Sequence, residues 1–284
     1  MKNNKIIRFI FTFPVIVYSI FLIFLPLVYI FIISFFESDS YGGMIKNFTL
    51  NNYRELFNSV YIGIFLKSFL IALITTFFCI IISYPFVLAI SRKNKRIQKI
   101  LITLVMIPFL TNSLIRMYGF IVLLRKYGVI NQVLMNLGII HDPINLMYNN
   151  FGILIGMIYT LLPFMILPLY SAVSAIDKSL IEAASDLFAS RFKIFCKVIF
   201  PSTIPALFNG SLMVFTPALG YFFIVDILGG GKIMILGSLI KNQFLTARNW
   251  PFGAAISVAL ILITFIFIYL YRKIGGKMDD LGGM

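Results

Sequence analysis

Histidine, cysteine and acidic side chains are scarce in this chain. Its 284 residues include one histidine, two cysteines and ten aspartate and glutamate residues. Cys79 and Cys196 provide neither the number nor the spacing of a disulfide framework or a metal site, and we expect both to be reduced packing residues. His141 lies beside Asp142 in a loop, where a lone histidine is more often a surface residue than a ligand. These shortages argue against an enzyme that depends on a histidine base or a bound metal.

Charged residues are also few, at 12% of the chain, whereas hydrophobic residues make up 60%. A soluble globular domain carries about twice that share of charge. We therefore expect an all-α integral membrane protein. The net charge of +14 does not predict a nucleic-acid partner, because the basic residues lie between apolar segments rather than on one face.

Six apolar runs are long enough to cross a bilayer, which needs roughly 20 helical residues. No small-residue cleavage site follows the first run, so it is expected to be an uncleaved anchor rather than a removed signal peptide. The sequence thus predicts one multi-pass membrane domain over residues 1–284 with six transmembrane helices. They are predicted at about 9–33, 61–90, 100–124, 150–175, 204–226 and 250–271.

The basic residues are concentrated in alternate segments between these runs. The N-terminal tail, the loop 91–99, the segment 176–205 and the C-terminal tail together hold most of the lysines and arginines. The positive-inside rule places segments rich in lysine and arginine in the cytoplasm. Both termini and the segment 176–205 are therefore predicted to be cytoplasmic.

The segment 176–205 has helical features of its own. A short helix is predicted over residues 178–187, with Asp177 or Ser179 near its start and Glu182 and Asp186 one turn apart. A second helix is predicted over residues 190–200, ended by Pro201. The alternative is a basic loop without a further role. A structured loop with an apolar side instead favours a surface that receives a cytoplasmic partner.

Polar residues interrupt the third apolar run. Asn112 and Arg116 lie within IPFLTNSLIRMYGF, in otherwise apolar sequence. Polar groups at membrane depth usually face the bundle interior or a water-filled path, so this face is a candidate solute pathway. The alternative is that Arg116 extends to the membrane surface.

A carboxylate follows three aromatic residues near the end of the fifth run. Asp226, about 22 residues into a helix that rises roughly 1.5 Å per residue, is expected near the outer mouth. Aromatic faces beside an acid suit an organic cation. The alternative is an aromatic belt with a loop acid, paired with Lys232 or Lys241. The aromatic residues are Tyr221, Phe222 and Phe223.

Three local patterns predict smaller features. The segment FTLNNYRELF is typical of a short helix capped by Asn51 or Asn52, and residues 128–140 form an amphipathic piece. Gly152 and Gly156 have the spacing of closely packed membrane helices. The sequence GGGK at 229–232 lacks the spacing of a phosphate-binding loop.

The segment 176–205 resembles the EAA loop by which the membrane subunits of bacterial ABC importers contact their ATPases, and we call it the EAA loop. The family has a glycine where Phe188 stands, and glycine lets the chain reverse at no steric cost. The resemblance implies that this loop couples the permease to ATP hydrolysis. The residues that it assigns to coupling are Glu182, Ala183, Ala184, Asp186, Leu187 and Phe188.

Longer strings, among them IPFLTNSLIRMYG, DILGGGK and IKNQFLTARNWPFGAA, resemble PotB-like permease subunits of bacterial spermidine/putrescine ABC importers. The resemblance implies a type I importer (MetI-like) fold in the cell inner membrane. It also implies a second homologous permease, two cytoplasmic ATPase subunits and an extracytoplasmic polyamine-binding protein. ATP and Mg²⁺ would bind to the ATPase, and this chain would bind no cofactor.

Other functions remain open at this point. One alternative is a permease of the same fold for another amine or for an anion such as sulfate or phosphate. Asp226 favours a cation, whereas Arg116 and Lys241 are the residues to consider for an anion. An intramembrane enzyme would need a nucleophile with a base or metal ligands, and a passive channel would not need the EAA loop.

Overall fold

The computed structural model describes residues 12–39 and 42–273, and most of them are helical. The basic residues predicted for the tails, Lys2, Lys5, Arg8 and Lys277, lie outside the described residues. The strands of the described chain are β1 (Phe36–Ser38) and β2 (Met44–Phe48). Its helices are α1 (Thr12–Ile33), α2 (Asn51–Glu55), α3 (Ser59–Ser91), α4 (Lys95–Leu110), α5 (Ser113–Leu124), α6 (Val129–Asn136), α7 (Asn150–Ala175), α8 (Lys178–Asp186), α9 (Arg191–Gly220), α10 (Phe222–Gly229), α11 (Leu236–Leu245) and α12 (Trp250–Lys273).

Five of these helices are long and apolar enough to cross a membrane. They are α1, α3, α7, α9 and α12, and α4 together with the helical segment Ser113–Asn136 supplies a sixth crossing if this bent pair is counted as one. Long apolar runs form helices in a membrane because a helix satisfies all of its backbone hydrogen bonds internally. The predicted all-α membrane fold is therefore present in the described chain, together with one short hairpin.

The third predicted span, 100–124, is not one straight helix. The chain turns by 94° between α4 and the helical segment that begins at Ser113. Thr111 is extended, and the side chain of Asn112 accepts a hydrogen bond from the amide of Leu114 at 2.8 Å. Asn112 thereby caps α5, since it satisfies one of the amides that a new helix leaves without a partner. The polar residues 111–113 therefore lie at the junction between α4 and α5.

The fifth predicted span, 204–226, also differs from the observed helices. α9 begins at Arg191, within the EAA loop, and continues to Gly220. Pro201 does not end a helix, because a π turn over Phe195–Ile199 carries the helix past it. The helix instead ends at Tyr221, whose φ of −73° and ψ of 65° are not helical. α10 is therefore a separate helix.

The described chain forms two compact parts. The first contains the residues up to Gly63 and Leu239–Ile263, and the second contains Ile64–Ser238 and the chain from Thr264. One buried hydrophobic cluster of the second part lies where α3 meets α7 and α9. Its buried side chains are Tyr84, Val87, Ile166, Leu169 and Val173.

The two glycines at GxxxG spacing both lie in tight places within the second part. A Cβ on Gly156 would lie 3.1 Å from Ile224 Cγ2 and closer still to Leu228, both on α10. A Cβ on Gly152 would lie 2.7 Å from the carbonyl oxygen of Leu146. The prediction of close helix packing is confirmed at Gly156, whose partner is α10, whereas Gly152 packs against the segment before α7.

In the first part, a hairpin and a short helix pack together. Asn52 is buried and donates hydrogen bonds to the carbonyl oxygens of Ser34 at 3.0 Å and Phe36 at 2.8 Å. The predicted cap by Asn51 or Asn52 is wrong, because α2 begins after Leu50 without a side-chain cap. Asn52 instead satisfies two carbonyl groups, which a buried amide can do.

Candidate functional site

α8 has a well-defined start within the EAA loop. The Asp177 carboxylate accepts a hydrogen bond from the amide of Ser179 at 3.0 Å. This hydrogen bond lowers the pKa of Asp177 below its ordinary value of 3.8, because it stabilises the charged form. The helix follows for nine residues, close to the predicted 178–187. Of the two predicted caps, Asp177 is the one observed.

α8 ends in a left-handed turn at Phe188, whose φ is 54°. The amide of Phe188 donates to the carbonyl of Ser185 at 2.9 Å, and the amide of Ala189 donates to that of Ala184 at 3.1 Å. These two bonds are those of a Schellman motif, which usually places glycine where Phe188 stands. The tight reversal therefore forms without a glycine. A side chain in this conformation costs about 1 to 2 kcal/mol.

The outer surface of the EAA loop carries large apolar side chains. Phe188 is 97% exposed, Leu187 81% and Phe192 75%. Glu182 and Asp186 are also exposed, one turn apart on α8. Ala183 is exposed and Ala184 half-buried, so both small residues leave the helix backbone open to close approach. The six predicted coupling residues thus lie together around α8 and the turn that follows it.

The EAA loop is joined directly to the membrane-spanning helices. The side chain of Ser190 caps α9 by accepting from the amide of Lys193 at 3.3 Å, and α9 then continues into the membrane. Within the core, Tyr84 Oη and Thr203 Oγ1 are 2.8 Å apart, which links α3 to α9. The ring of Phe195 packs edge-on against Tyr84 at 5.5 Å between centroids. The contact between Tyr84 and Thr203 was not predicted from the sequence, because a single polar residue in each of two apolar helices forms no recognisable sequence pattern.

Arg116 is half-buried on α5 and lies over an aromatic ring. Its guanidinium carbon is 5.8 Å from the centroid of the Tyr159 ring, which also contacts Phe120. Its Nε is buried without a hydrogen-bond partner among the described residues. Asn112, predicted to share this pathway face, is exposed at the junction of α4 and α5. Arg116 is therefore packed against an aromatic ring, whereas Asn112 is exposed to the surroundings of the chain.

Asp226 lies on α10, beyond the end of α9. The estimate that placed it 22 residues into one helix is wrong, because the chain breaks at Tyr221. Its Oδ1 accepts a hydrogen bond from Ser238 Oγ at 3.3 Å. The ring of Phe223 lies 5.4 Å from that of Tyr221 and 6.3 Å from that of Phe222. Lys241 is on the part of α11 that belongs to the first compact part.

A family model and individual relatives both match most of the chain. The model of a family described as binding-protein-dependent transport system inner membrane component matches residues 81–280. The spermidine/putrescine transport system permease protein PotB of Haemophilus influenzae is 40% identical over 254 residues, which are 89% of each chain. PotB of Escherichia coli K12 is 40% identical over 251 residues, covering 88% of this chain and 91% of that one.

Solved structures agree on the fold. A chain of a bacterial ABC transporter involved in the import of the acidic polysaccharide alginate has a TM-score of 0.78 at 15% identity, over 96% of this chain and 97% of that chain. A chain of the MetNI methionine ABC transporter has a TM-score of 0.55 at 16% identity, over 76% of this chain and 97% of that chain. The fold is that of a MetI-like ABC importer permease, and the chain belongs to the family of inner-membrane components of binding-protein-dependent transport systems.

Proposed function

We propose that this chain is the permease subunit of an ABC importer that carries polyamines, spermidine or putrescine or both, into the cell. Support comes from the two relatives named for spermidine and putrescine transport, which are 40% identical to this chain over nearly nine-tenths of its length. A match of that length includes the membrane-spanning helices as well as the EAA loop. The chain is a multi-pass inner-membrane transport subunit and not an enzyme.

The energy for transport would enter through the EAA loop. Glu182, Asp186 and the apolar side chains of Leu187 and Phe188 form a compact exposed surface of the kind that a protein partner covers. Because α9 begins at Arg191 and continues through the membrane, movement of this surface would move a spanning helix. ATP and Mg²⁺ would bind on the partner ATPase, whose closure would shift the path between inward-open and outward-open states.

The complex would contain three further kinds of subunit. A second homologous permease would complete the transmembrane path, two ATPases would sit against the EAA loops in the cytoplasm, and an extracytoplasmic protein would deliver the polyamine. Both termini of this chain would be cytoplasmic, as the distribution of basic residues predicts.

Asp226 would attract the polyamine along the path. Its half-buried carboxylate, held by Ser238 and preceded by three aromatic rings, suits an organic cation. A polyamine carries several positive charges, so one carboxylate is too few. The second permease would supply the others.

The test is ATP-dependent uptake of labelled spermidine and putrescine into proteoliposomes that contain this chain with its neighbouring permease, ATPase and binding protein. Uptake of one, competed by the other, is expected. Glu182→Lys is expected to abolish uptake while ATP hydrolysis and membrane insertion persist. Asp142→Lys, which reverses an exposed charge outside the EAA loop, is the control and should transport normally.

Two results would contradict the proposal in different ways. An assembled, ATP-hydrolysing complex that takes up neither polyamine would keep the permease fold and exclude this substrate class. Normal uptake by Glu182→Lys would remove Glu182 from the coupling surface.

A further inference from the structure

In the second compact part, the EAA loop forms part of the wall of a basic cavity. Its volume is about 660 Å³, within the range of about 300 to 1,000 Å³ that is typical of small-molecule sites. It lies where α3 and α7 end and α8 and α9 begin. None of the described residues that line it is acidic. Five of them are basic, namely Arg92, Lys93, Lys95, Lys178 and Arg191.

The turn that carries three of these charges is held in place by Gln98, which is 5% exposed. Its Nε2 donates to the carbonyl oxygens of Ser91 at 3.1 Å and Lys93 at 2.8 Å, and its Oε1 accepts from Tyr170 Oη at 3.0 Å. The turn is thereby fixed to both α4 and α7. Asn94 adds a cap on α4 by accepting from the amide of Ile97 at 2.9 Å. The charges of Arg92, Lys93 and Lys95 therefore stand on a fixed turn.

The remaining wall of the cavity combines an apolar surface with five uncharged polar residues, namely Ser91, Asn94, Gln98, Ser174 and Ser185. Most of the apolar residues lie in the last turns of α3 and α7 and the first turns of α9, so they continue the surfaces of three membrane-spanning helices. A ligand that fits such a space has one strongly anionic end and one apolar end. The apolar lining residues are Leu88, Val173, Ile176, Ile181, Ile194, Phe195 and Ile199.

The charges themselves point to phosphate. Five cations around one cavity repel one another, and an anion that binds among them removes part of that repulsion. Arginine forms paired hydrogen bonds to phosphate oxygens, and lysine adds point charges. Basic pockets between membrane helices on the cytoplasmic side are suited to anionic lipid headgroups.

We propose that this cavity binds the phosphate group of an anionic phospholipid, with the acyl chains along its apolar walls. Arg92 and Lys95 contact the phosphate from the α3–α4 turn, and Lys178 contacts it from the start of α8. The lipid thereby ties the start of α8 to the end of α3. The inference concerns lipid binding alone and does not depend on which solute the transporter carries.

The test compares two variants that lose the same number and kind of charges. Arg92→Gln/Lys95→Gln/Lys178→Gln changes three residues that line the cavity, whereas Arg96→Gln/Lys99→Gln/Lys193→Gln changes three exposed residues that do not. The assembled transporter is titrated with phosphatidylglycerol in phosphatidylcholine nanodiscs, and the retained lipid is counted by native mass spectrometry. Phosphatidylcholine with the same acyl chains is the neutral control, and inorganic phosphate is added as a competitor.

The wild type is expected to retain a phosphatidylglycerol molecule that the cavity variant binds at least about tenfold more weakly, since the variant lacks three basic residues that attract an anionic headgroup. The control variant should match the wild type. Equal retention by all three proteins would overturn the site. If inorganic phosphate stabilises the wild type but not the cavity variant, and no lipid is retained, the claim of lipid binding is wrong. The cavity would then be a site for a soluble phosphate compound. If the triple variant fails to assemble, Arg92→Gln against Arg96→Gln makes the same comparison.

Discussion

The hydroxyl of Tyr84 donates a hydrogen bond to Thr203 Oγ1 at 2.8 Å and so joins α3 to α9. The direction follows from Thr203, whose own hydroxyl proton is used by the carbonyl oxygen of Ile199 at 2.9 Å. The pair is buried among the rings of Phe195 and Phe200. The helix that leads to the basic turn and the helix that leads from the EAA loop are therefore held together by a specific contact.

Removing this hydrogen bond should loosen the two helices. Tyr84→Phe keeps the ring and deletes the donor, and it is expected to cost about 1 kcal/mol, the usual net contribution of such a bond. Thr203 keeps its own donor satisfied, so the loss stays small. Thermal unfolding in one detergent measures the change. Tyr118→Phe, which deletes a hydroxyl that is on a 61% exposed residue, is the control. Equal melting temperatures for the two variants would contradict the stabilising role.

Phe188 should have two opposing effects that can be separated. Phe188→Gly removes the cost of a left-handed side chain and is expected to raise the stability of the chain by up to about 1 kcal/mol. The same change removes a ring that is 97% exposed and should weaken association with the ATPase. Thermal unfolding of the chain alone and binding of the purified ATPase report the two effects. Phe188→Leu keeps apolar bulk and should bind more like the wild type. ATPase binding unchanged by Phe188→Gly would remove the ring from the interface.

Asp226→Asn tests the charge of the proposed pathway residue without changing its shape. The amide oxygen can still accept from Ser238, so this hydrogen bond is kept when the charge is removed. A solvent-screened charge pair contributes about 0.2 to 1 kcal/mol, which predicts a rise of about 1.4- to fivefold in the KM for polyamine uptake. Ser238→Ala keeps the charge and should have the smaller effect. Unchanged KM in Asp226→Asn would assign the residue to an aromatic belt at the membrane surface.

Gly237 and Gly119 should respond to alanine with opposite signs. A Cβ on Gly237 would collide with the backbone carbonyl of Gly220 at the end of α9, so Gly237→Ala is expected to destabilise the chain by about 1 to 3 kcal/mol. Nothing lies within 4 Å of a Cβ on Gly119, in the middle of α5. Gly119→Ala should therefore stabilise by about 0.5 to 1 kcal/mol, because glycine is unfavourable inside a helix. Thermal unfolding of both variants checks the prediction, and a stable Gly237→Ala would contradict the close approach.

The sequence predicted the long helices well where apolar length alone decides them. α3, α7 and α12 begin and end within about two residues of the predicted runs, a normal uncertainty for helix ends. The helix breaks at Thr111 and Tyr221 were not predicted. The spans were predicted from the average hydropathy of a stretch of residues, and this average does not change where the helix axis changes direction. Asn112 was interpreted as a pathway residue, although a polar residue before a helix is also a typical cap.

The EAA loop was predictable because its signals are local. Asp177 before a helical stretch and the spacing of Glu182 and Asp186 both act within a few turns. The basic cavity was not, because Arg92 and Lys178 are far apart along the chain and only the packing of α3, α7 and α9 brings them together. From the sequence, these charges could be used only to predict topology. The positive-inside rule counts the basic residues in each loop and does not say which of them lie close together in the folded chain.

The unbroken helix from Arg191 to Gly220 has a mechanical consequence. Its 30 residues, with a rise of about 1.5 Å each, make a rod of about 45 Å. If such a rod tilts about the end at Arg191 by about 10°, its far end is displaced by about 8 Å. The chain leaves the rod at Tyr221, directly before the short helix that carries Asp226. Under the proposed coupling, a small rotation imposed by an ATPase at the EAA loop would thus be amplified into a movement wide enough to open or close a passage for a slender solute.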